Sequence, residues 1–424
     1  MKVLFYGINF VPELTGIGKY TGEMAAWLAA QGHDVRVVTA PPYYPNWSVA
    51  AGHSGRAWRR ERWHGADVWR CPLWVPSRPG GAKRLLHLAS FALSSLPVML
   101  RQLVWRPDVV WVVEPALFCA PAAWATARLC GASAWLHIQD YEVDAAFDMG
   151  LIKGKRLRNW VEAAERWLMR RFDRVSTISG RMLERAIAKG VEPTRLVAFP
   201  NWVDLSAIVP LSAPSAYRAE LGIAEGATVA LYSGNMGAKQ GLEGLAAAAK
   251  KLQGHPSVKF VFCGDGAGRD DLVSRCAGMP NVCFLPLQPL ERLGELLGLA
   301  DIHLLPQRAD AADLVMPSKL TGMLASGRAV IATAAPQTEL SQVIAQRAQC
   351  GLVVPPENAE ALAQAIVALA EDPDRRARMG ANSRAYAERE LDRQAVLLRF
   401  EAGLRACVAK KSNDVKRDAA GHAN

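Results

Sequence analysis

The stretch VALYSGNMGAKQGLEGLAAAAKKLQGHPSVKFVFCGDG, residues 229–266, decides the fold. Val229–Ser233 is an apolar strand, Gly234, Gly237 and Gly241 punctuate the loop after it, Leu242 to Leu252 carries a helical period, and Lys259–Cys263 is strand again. The same order opens the chain: Lys2–Gly7, a loop with Gly16 and Gly18, a helical run from Tyr20 to Ala30, then Val35–Thr39. Short Val/Ile/Leu runs at Val109–Val113, Ala134–Ile138, Val175–Ile178, Ile302–Leu305 and Val330–Thr333 alternate with further helical patterns. Apolar strands separated by helices need cover on both faces, which is the signature of parallel α/β sheets. Two such series in 424 residues predict an α/β protein of two tandem Rossmann-like, doubly wound domains with an inter-domain cleft at the carboxyl ends of their strands.

The chain turns Pro/Ser/Ala-rich and aperiodic from Asn201 to Leu221, which sets the expected domains at 1–203 and 204–375. Helical text at 376–407 has the length to return to the first domain, and the polar stretch 408–424 reads as a disordered tail.

Half of the residues are apolar and 21% are charged, a balance that excludes an intrinsically disordered chain. The excess of positive charge is one-sided: residues 1–203 hold 26 basic and 16 acidic residues, whereas 204–424 hold 24 of each. A basic first half points to an anionic partner there. Between 56 and 106, ten Arg and Lys residues face only Glu61 and Asp67, with Trp58, Trp63, Trp69 and Trp74 interleaved. Such a mixture suits a lipid headgroup layer or stacked single-stranded nucleic acid. Leu85 to Leu100 is nearly uncharged; as a helix it spans about 24 Å, short of the ~30 Å hydrocarbon core. It reads either as a buried helix of the first domain or as one lying in the membrane interface. The eight cysteines show no C-x-x-C pair, so neither a metal site nor a disulfide framework is expected. The amino terminus lacks the apolar core of a signal peptide, and a cytoplasmic protein is expected.

Both glycine loops lead into helices whose first N–H groups can face an anion. Lys239 within the second loop can neutralise charge growing on a leaving diphosphate. In the segment 310–327, Pro317 and Ser318 can start a helix, with Lys319 in its first turn as a second phosphate ligand. Gly264 and Asp265, in Cys263-Gly264-Asp265-Gly266, lie where a strand can turn close to a base or ribose. In the first half, His137 and Asp140 end the strand Ala134–Ile138, and Glu114 ends Val109–Val113; each could orient or deprotonate an acceptor hydroxyl. No dinucleotide fingerprint is present, which removes an NAD enzyme.

The order of these features resembles the family-4 glycosyltransferases of the two-domain GT-B type over about residues 1–405. The resemblance rests on the glycine loop at Gly16, His137 with Asp140, Ile178-Ser179, Asn201-x-Val203-Asp204, the G-x-x-x-x-K loop at 234–239, G-D-G, and the closing Leu324-Ala325-Ser326-Gly327. The wording of Gly16–Met24, Thr39–Pro45 and Met316–Gly322 is similar to the fucosyltransferases of colanic-acid-type exopolysaccharide clusters. The resemblance implies a metal-independent, anomer-retaining transfer from a nucleotide sugar, with fucose from GDP-fucose as one such donor. The implied acceptor is a lipid-linked oligosaccharide, with the enzyme peripheral on the inner face of the cytoplasmic membrane. No cofactor is expected. The family's Glu-x7-Glu motif is altered: its second glutamate falls on Gly322, and Asp313 is one residue out of step with the first. The expected donor set is Gly16, Gly18, Asn235, Lys239, Gly264, Asp265, Asp313, Pro317, Ser318, Lys319, Thr321 and Gly322. Asp140, His137 and Glu114 are the expected acceptor-side catalytic groups. The rival reading is a non-catalytic binder of nucleic acid through the Arg/Trp stretch 56–74, whereas the enzyme reading expects no nucleic acid.

Overall fold

The computed structural model describes residues 1–13, 16–77, 80–114, 118–141, 144, 155–237, 240–309 and 316–421. Two compact units are present: residues 1–199 with 397–424, and residues 200–396.

The first unit is built on an eight-stranded sheet of order β3-β4-β2-β1-β5-β6-β7-β8. Its strands are β1 (Lys2–Tyr6), β2 (Asp34–Thr39), β3 (Arg59–Trp63), β4 (Ala66–Arg70), β5 (Val109–Glu114), β6 (Ser133–Ile138), β7 (Arg174–Thr177) and β8 (Leu196–Ala198). All neighbours pair in parallel except the β3–β4 hairpin. The described helices include α1 (Gly16–Ala30), α2 (Gly81–Trp105), α3 (Ala120–Cys130), α4 (Lys155–Met169) and α5 (Gly180–Ala188), the last capped by the Ser179 hydroxyl, which accepts from Met182 N at 3.3 Å. Strand order reverses at β1, since α1 leads outward to β2 and α2 carries the chain back to β5. Right-handed crossovers then put α1 on one face of the sheet and α2, α3 and α4 side by side on the other. Ring contact between Trp124 of α3 and Trp167 of α4, with centroids 6.0 Å apart, joins two of these neighbours.

The segment read as a helix over Leu85–Leu100 is longer than expected, running from Gly81 to Trp105 with Pro97 inside it. It is neither wholly buried nor wholly exposed. His87, Leu88, Phe91, Ser95, Val98, Met99 and Gln102 recur at helical spacing on the buried face, where the Ser95 hydroxyl lies 2.6 Å from that of Tyr6.

The second unit holds a fully parallel six-stranded sheet of order β11-β10-β9-β12-β13-β14. The strands are β9 (Thr228–Ser233), β10 (Val258–Cys263), β11 (Val282–Leu285), β12 (Ile302–Leu305), β13 (Ala329–Thr333) and β14 (Gly351–Val354). Its helices include α6 (Leu242–Lys251), α7 (Arg269–Arg275), α8 (Leu293–Leu299), α9 (Lys319–Ala325), α10 (Ala359–Ala370) and α11 (Pro373–Tyr386). One core gathers Tyr232, Leu245, Phe260, Phe262 and Ile366 on one side of the sheet, and another gathers Leu305, Leu320, Leu324, Val330 and Ile344 on the other.

The junction differs from its expected place. Val203 belongs with the second unit, because its N–H donates to Leu391 O at 2.9 Å and its carbonyl accepts from Arg393 N at 3.1 Å. Asp204 beside it pairs with Arg393 at 2.9 Å. Residues 376–396 also stay with the second unit, where Ser383 donates to Arg328 O and Arg384 donates to Ala325 O. The return begins at Leu397, within α12 (Arg393–Gly421), and the backbone of 408–421 is helical rather than an aperiodic tail.

Candidate active site

In the first unit the carboxyl ends of β1, β5 and β6 lie next to one another, with Tyr6 opposite Val112 and Glu114 opposite Ile138. The loop after β1 is fixed by a group that sequence reading missed. Glu13, almost fully buried, accepts from the backbone N–H of Tyr43 and of Tyr44, each at 3.0 Å, and from Asn9 Nδ2 at 2.9 Å. Burial raises its pKa, and the three donors pull it back. Arg70, also missed, is buried beneath the same loops. It donates to Glu61 at 2.7 Å, to Ala40 O at 3.0 Å and to Val11 O at 2.5 Å, so one guanidinium ties β3 to the segments after β1 and β2. Neither residue belongs to a local motif, and both act across roughly 30 or more positions of sequence.

Gly18 is buried in α1, and a Cβ there would stand 2.8 Å from Glu13 Oε2 and 3.2 Å from Phe10 O. Its small size makes room for Glu13. Gly16 has φ +61°, and among the described residues nothing lies within 4 Å of a Cβ there.

His137 is a core residue, contrary to its expected place among the acceptor-side groups. It is fully buried, stacks on Trp111 at 5.2 Å, and lies 2.8 Å from Ser176 Oγ and 3.0 Å from the Gln139 amide. Burial drives its pKa down to about 3, so the ring is neutral. Asp140 lies two residues past the end of β6 and is half-buried. Behind it, Tyr141 donates to Met182 O at 2.8 Å, and Asp144 pairs with Arg185 at 2.5 Å and Lys189 at 3.1 Å. Both contacts reach α5 and the residue that follows it, which fixes the chain on either side of the undescribed 142–143. Glu114 is placed as the last residue of β5, and its side chain lies outside the described part of the molecule.

In the second unit Lys319 opens α9 and points back to the loop after β9. Its Nζ donates to the Tyr232 hydroxyl at 3.1 Å and stands 4.3 Å above the same ring. A Cβ added at Gly234 would meet that Nζ at 3.3 Å. Burial lowers the Lys319 pKa to about 8. Lys239, expected to share its ligand, lies outside the described residues, as does Asp313. Asn235 is exposed on the same loop, where its carbonyl accepts from the Tyr232 hydroxyl at 2.6 Å.

The G-D-G segment serves that loop. Met236 N donates to Asp265 O at 2.8 Å and Gly268 N to Met236 O at 2.7 Å. Gly264 has φ +142°, and a Cβ there would fall 2.0 Å from Gly234 O. Its glycine is therefore required by contact between two loops, whatever else binds there. The Asp265 carboxylate accepts from Gly266 N at 2.7 Å and is exposed.

Pro317 and Ser318 precede α9 as expected, but the Ser318 side chain makes no cap; its carbonyl accepts from the Thr321 hydroxyl at 2.9 Å. A Cβ at Gly322 would meet Leu297 Cδ1 at 3.2 Å and Ile208 Cδ1 at 3.6 Å. The position that resembles the family's second glutamate thus faces apolar side chains.

Within the Arg/Trp stretch, Trp69 lies between Arg36 at 5.0 Å and Arg60 at 4.9 Å, and Arg60 pairs with Asp67 at 2.8 Å, while Trp58 and Trp74 are exposed.

Comparison with known proteins agrees with this arrangement. Residues 15–202 match the family described as "Glycosyl transferase 4-like domain" and residues 215–386 match "Glycosyl transferases group 1". The colanic acid biosynthesis glycosyl transferase WcaI of Escherichia coli (strain K12) is 46% identical over 408 residues, covering 94% of this chain and 98% of that protein. Among solved structures, sucrose-phosphate synthase from Thermosynechococcus elongatus superposes with a TM-score of 0.73 at 17% identity, covering 96% of this chain and 99% of the other. HepE of Anabaena, solved in complex with UDP and glucose, gives 0.67 at 16% identity, covering 96% and 100%. At these identities the two structures show the shared two-domain fold. The nucleic-acid reading finds no support in these matches.

Proposed function

The chain belongs to the family-4 glycosyltransferases of the GT-B type, within its colanic-acid group, and on that footing we propose that it transfers a sugar from a nucleoside diphosphate to a lipid-linked oligosaccharide during exopolysaccharide synthesis. The observation that carries the donor reading is Lys319, a partly buried cation that reaches from α9 to the end of β9, where its described partner is a neutral phenol. Among the described residues no carboxylate pairs with this ammonium, and a diphosphate would supply the counter-charge.

The reaction breaks the bond between the sugar C1 and the diphosphate oxygen, forms a bond from C1 to the acceptor oxygen, and passes the acceptor proton to the departing diphosphate. Charge grows on that diphosphate, and Lys319 with Lys239 neutralises it in a metal-independent reaction. Asp140 orients the acceptor hydroxyl. The transfer retains the anomeric configuration and uses GDP-fucose at the cytoplasmic face of the membrane; the likeness of Met316–Gly322 to colanic-acid fucosyltransferases supports this finer reading.

A thermal-shift screen of GDP, UDP, dTDP and CDP tests the donor class, because a ligand of the folded state raises its stability. Stabilisation by GDP above the others, followed by release of GDP from GDP-fucose in the presence of a lipid-linked acceptor, is the expected result. Preference for UDP removes fucose, and no response to any nucleotide removes the donor site.

A further inference from the structure

We propose that α2 and α4 form a docking surface for an anionic lipid bilayer. The proposal deepens the lipid-linked acceptor reading, on which only its purpose rests.

The outer face of α2 carries one apolar stripe. Leu86, Leu93, Leu100 and Val104 recur at helical spacing and are solvent-exposed, Leu93 by 67% and Val104 by 88%. From Leu86 to Val104 the stripe is about 27 Å long at ~1.5 Å per residue. The helix is long and apolar enough to cross a membrane by length and composition. Its inner face is nonetheless committed to the sheet, where Phe91 and Ser95 meet Tyr6. A helix pinned along one side and oily along the other lies in the interface instead of spanning it. Neighbouring α4 continues the surface with Trp160, 77% exposed, and Trp167. Indoles at the edge of an aliphatic stripe match the level of lipid headgroups.

The charge agrees. Residues 81–106 carry four basic side chains and no acid, and 155–171 carry six basic and two acidic. Of those two acids, Glu165 is buried against Lys189 and Glu162 pairs with Arg158 at 2.7 Å. Cations beside exposed aliphatics complement an anionic bilayer. Single-stranded nucleic acid would use the cations but leave the leucine stripe in water, so lipid is the better fit.

This surface also touches the candidate site. From the inner side of α2, His87 Nδ1–H donates to Trp74 O at 2.7 Å and the ring packs against Tyr43 at 4.7 Å, and the Tyr43 N–H is one of the two backbone groups held by Glu13. Docking through α2 therefore sets the β1 and β2 loops close to the headgroup layer, where a lipid-linked sugar is presented.

Flotation of the full chain with vesicles of phosphatidylcholine, with and without phosphatidylglycerol, tests the proposal. We expect flotation with the anionic vesicles, weaker at high salt and weaker still with phosphatidylcholine alone. Leu93→Glu and Leu100→Glu each lower partitioning about tenfold or more. Arg101→Gln lowers it about fivefold, and Trp160→Ala reports whether α4 takes part. Thermal unfolding of each variant checks that the exposed substitutions leave the fold intact. A wild-type chain that never floats, or leucine variants that float as well as wild type, overturns the proposal. So does a lipid-free dimer that Leu93→Glu dissolves, or a single-stranded oligonucleotide bound more tightly than vesicles. GDP binding, measured on the same samples, separates failure of this surface from failure of the donor site.

Discussion

The Lys319 ammonium stands 4.3 Å above the Tyr232 ring and donates to that ring's hydroxyl at 3.1 Å. Among the described residues the group that positions the cation is neutral, which suits it to an anionic ligand. Lys319→Ala should weaken nucleoside diphosphate binding ten- to a hundredfold, since a hydrogen bond to a charged group contributes ~1.5–3 kcal/mol. Isothermal titration calorimetry checks it, and unchanged affinity would remove Lys319 from the donor site.

Donor affinity should also depend on pH. Burial lowers the Lys319 pKa to about 8, so its charge is complete below that value and lost above it. A bound diphosphate favours the cation. Affinity should thus be full below about pH 8 and fall as pH rises past it, with protons taken up on binding. The unliganded protein should show the opposite sign: its stability should rise between about 8 and the usual lysine value of ~10.4, where only the unfolded chain still holds the proton. Lys319→Arg, which stays charged, should flatten the slope in affinity measured across this range.

Asp140→Asn should lower turnover far more than donor affinity, because the residue follows β6 in the first unit while Lys319 lies in the second. Steady-state kinetics beside nucleotide titration separates the two effects. Wild-type turnover in a folded variant shifts the role to Glu114.

Glu13→Ala should destabilise the protein by ~1–3 kcal/mol for each of the two backbone N–H groups left without an acceptor. Urea unfolding measures it. Glu13→Gln keeps an oxygen for the same donors and should be milder; equal losses in both variants would mean that charge, not acceptance, holds the loop.

The parallel strands were legible because each is a continuous apolar run bounded by glycine or a helical period, as in Val229–Ser233. Lys319 was legible because Pro317 and Ser318 announce a helix start immediately before it. The groups that hold the site loops were not. Glu13 meets Tyr43 and Arg70 meets Val11 only after β1, β2 and β4 have paired, and no local spacing encodes that meeting. His137 misled for a related reason. A polar residue at a strand end looks functional until Trp111, Ser176 and Phe199 close over it. Gly18 and Gly264 read as ligand glycines, yet Gly18 also leaves room for the Glu13 side chain and Gly264 for the Gly234 carbonyl.

The first unit is finished by the last part of the chain. Phe400 packs on Trp111, Trp135 and Phe199, the Trp135 ring occupies the space above Gly403, and Cys407 O accepts from Ser133. During synthesis, residues 200–396 must leave the ribosome before that cover arrives, a delay of roughly 10–40 s at ~5–20 residues per second. Throughout that interval the nascent amino-terminal half carries an open aromatic seam. The second unit, contiguous in sequence, waits for no later segment.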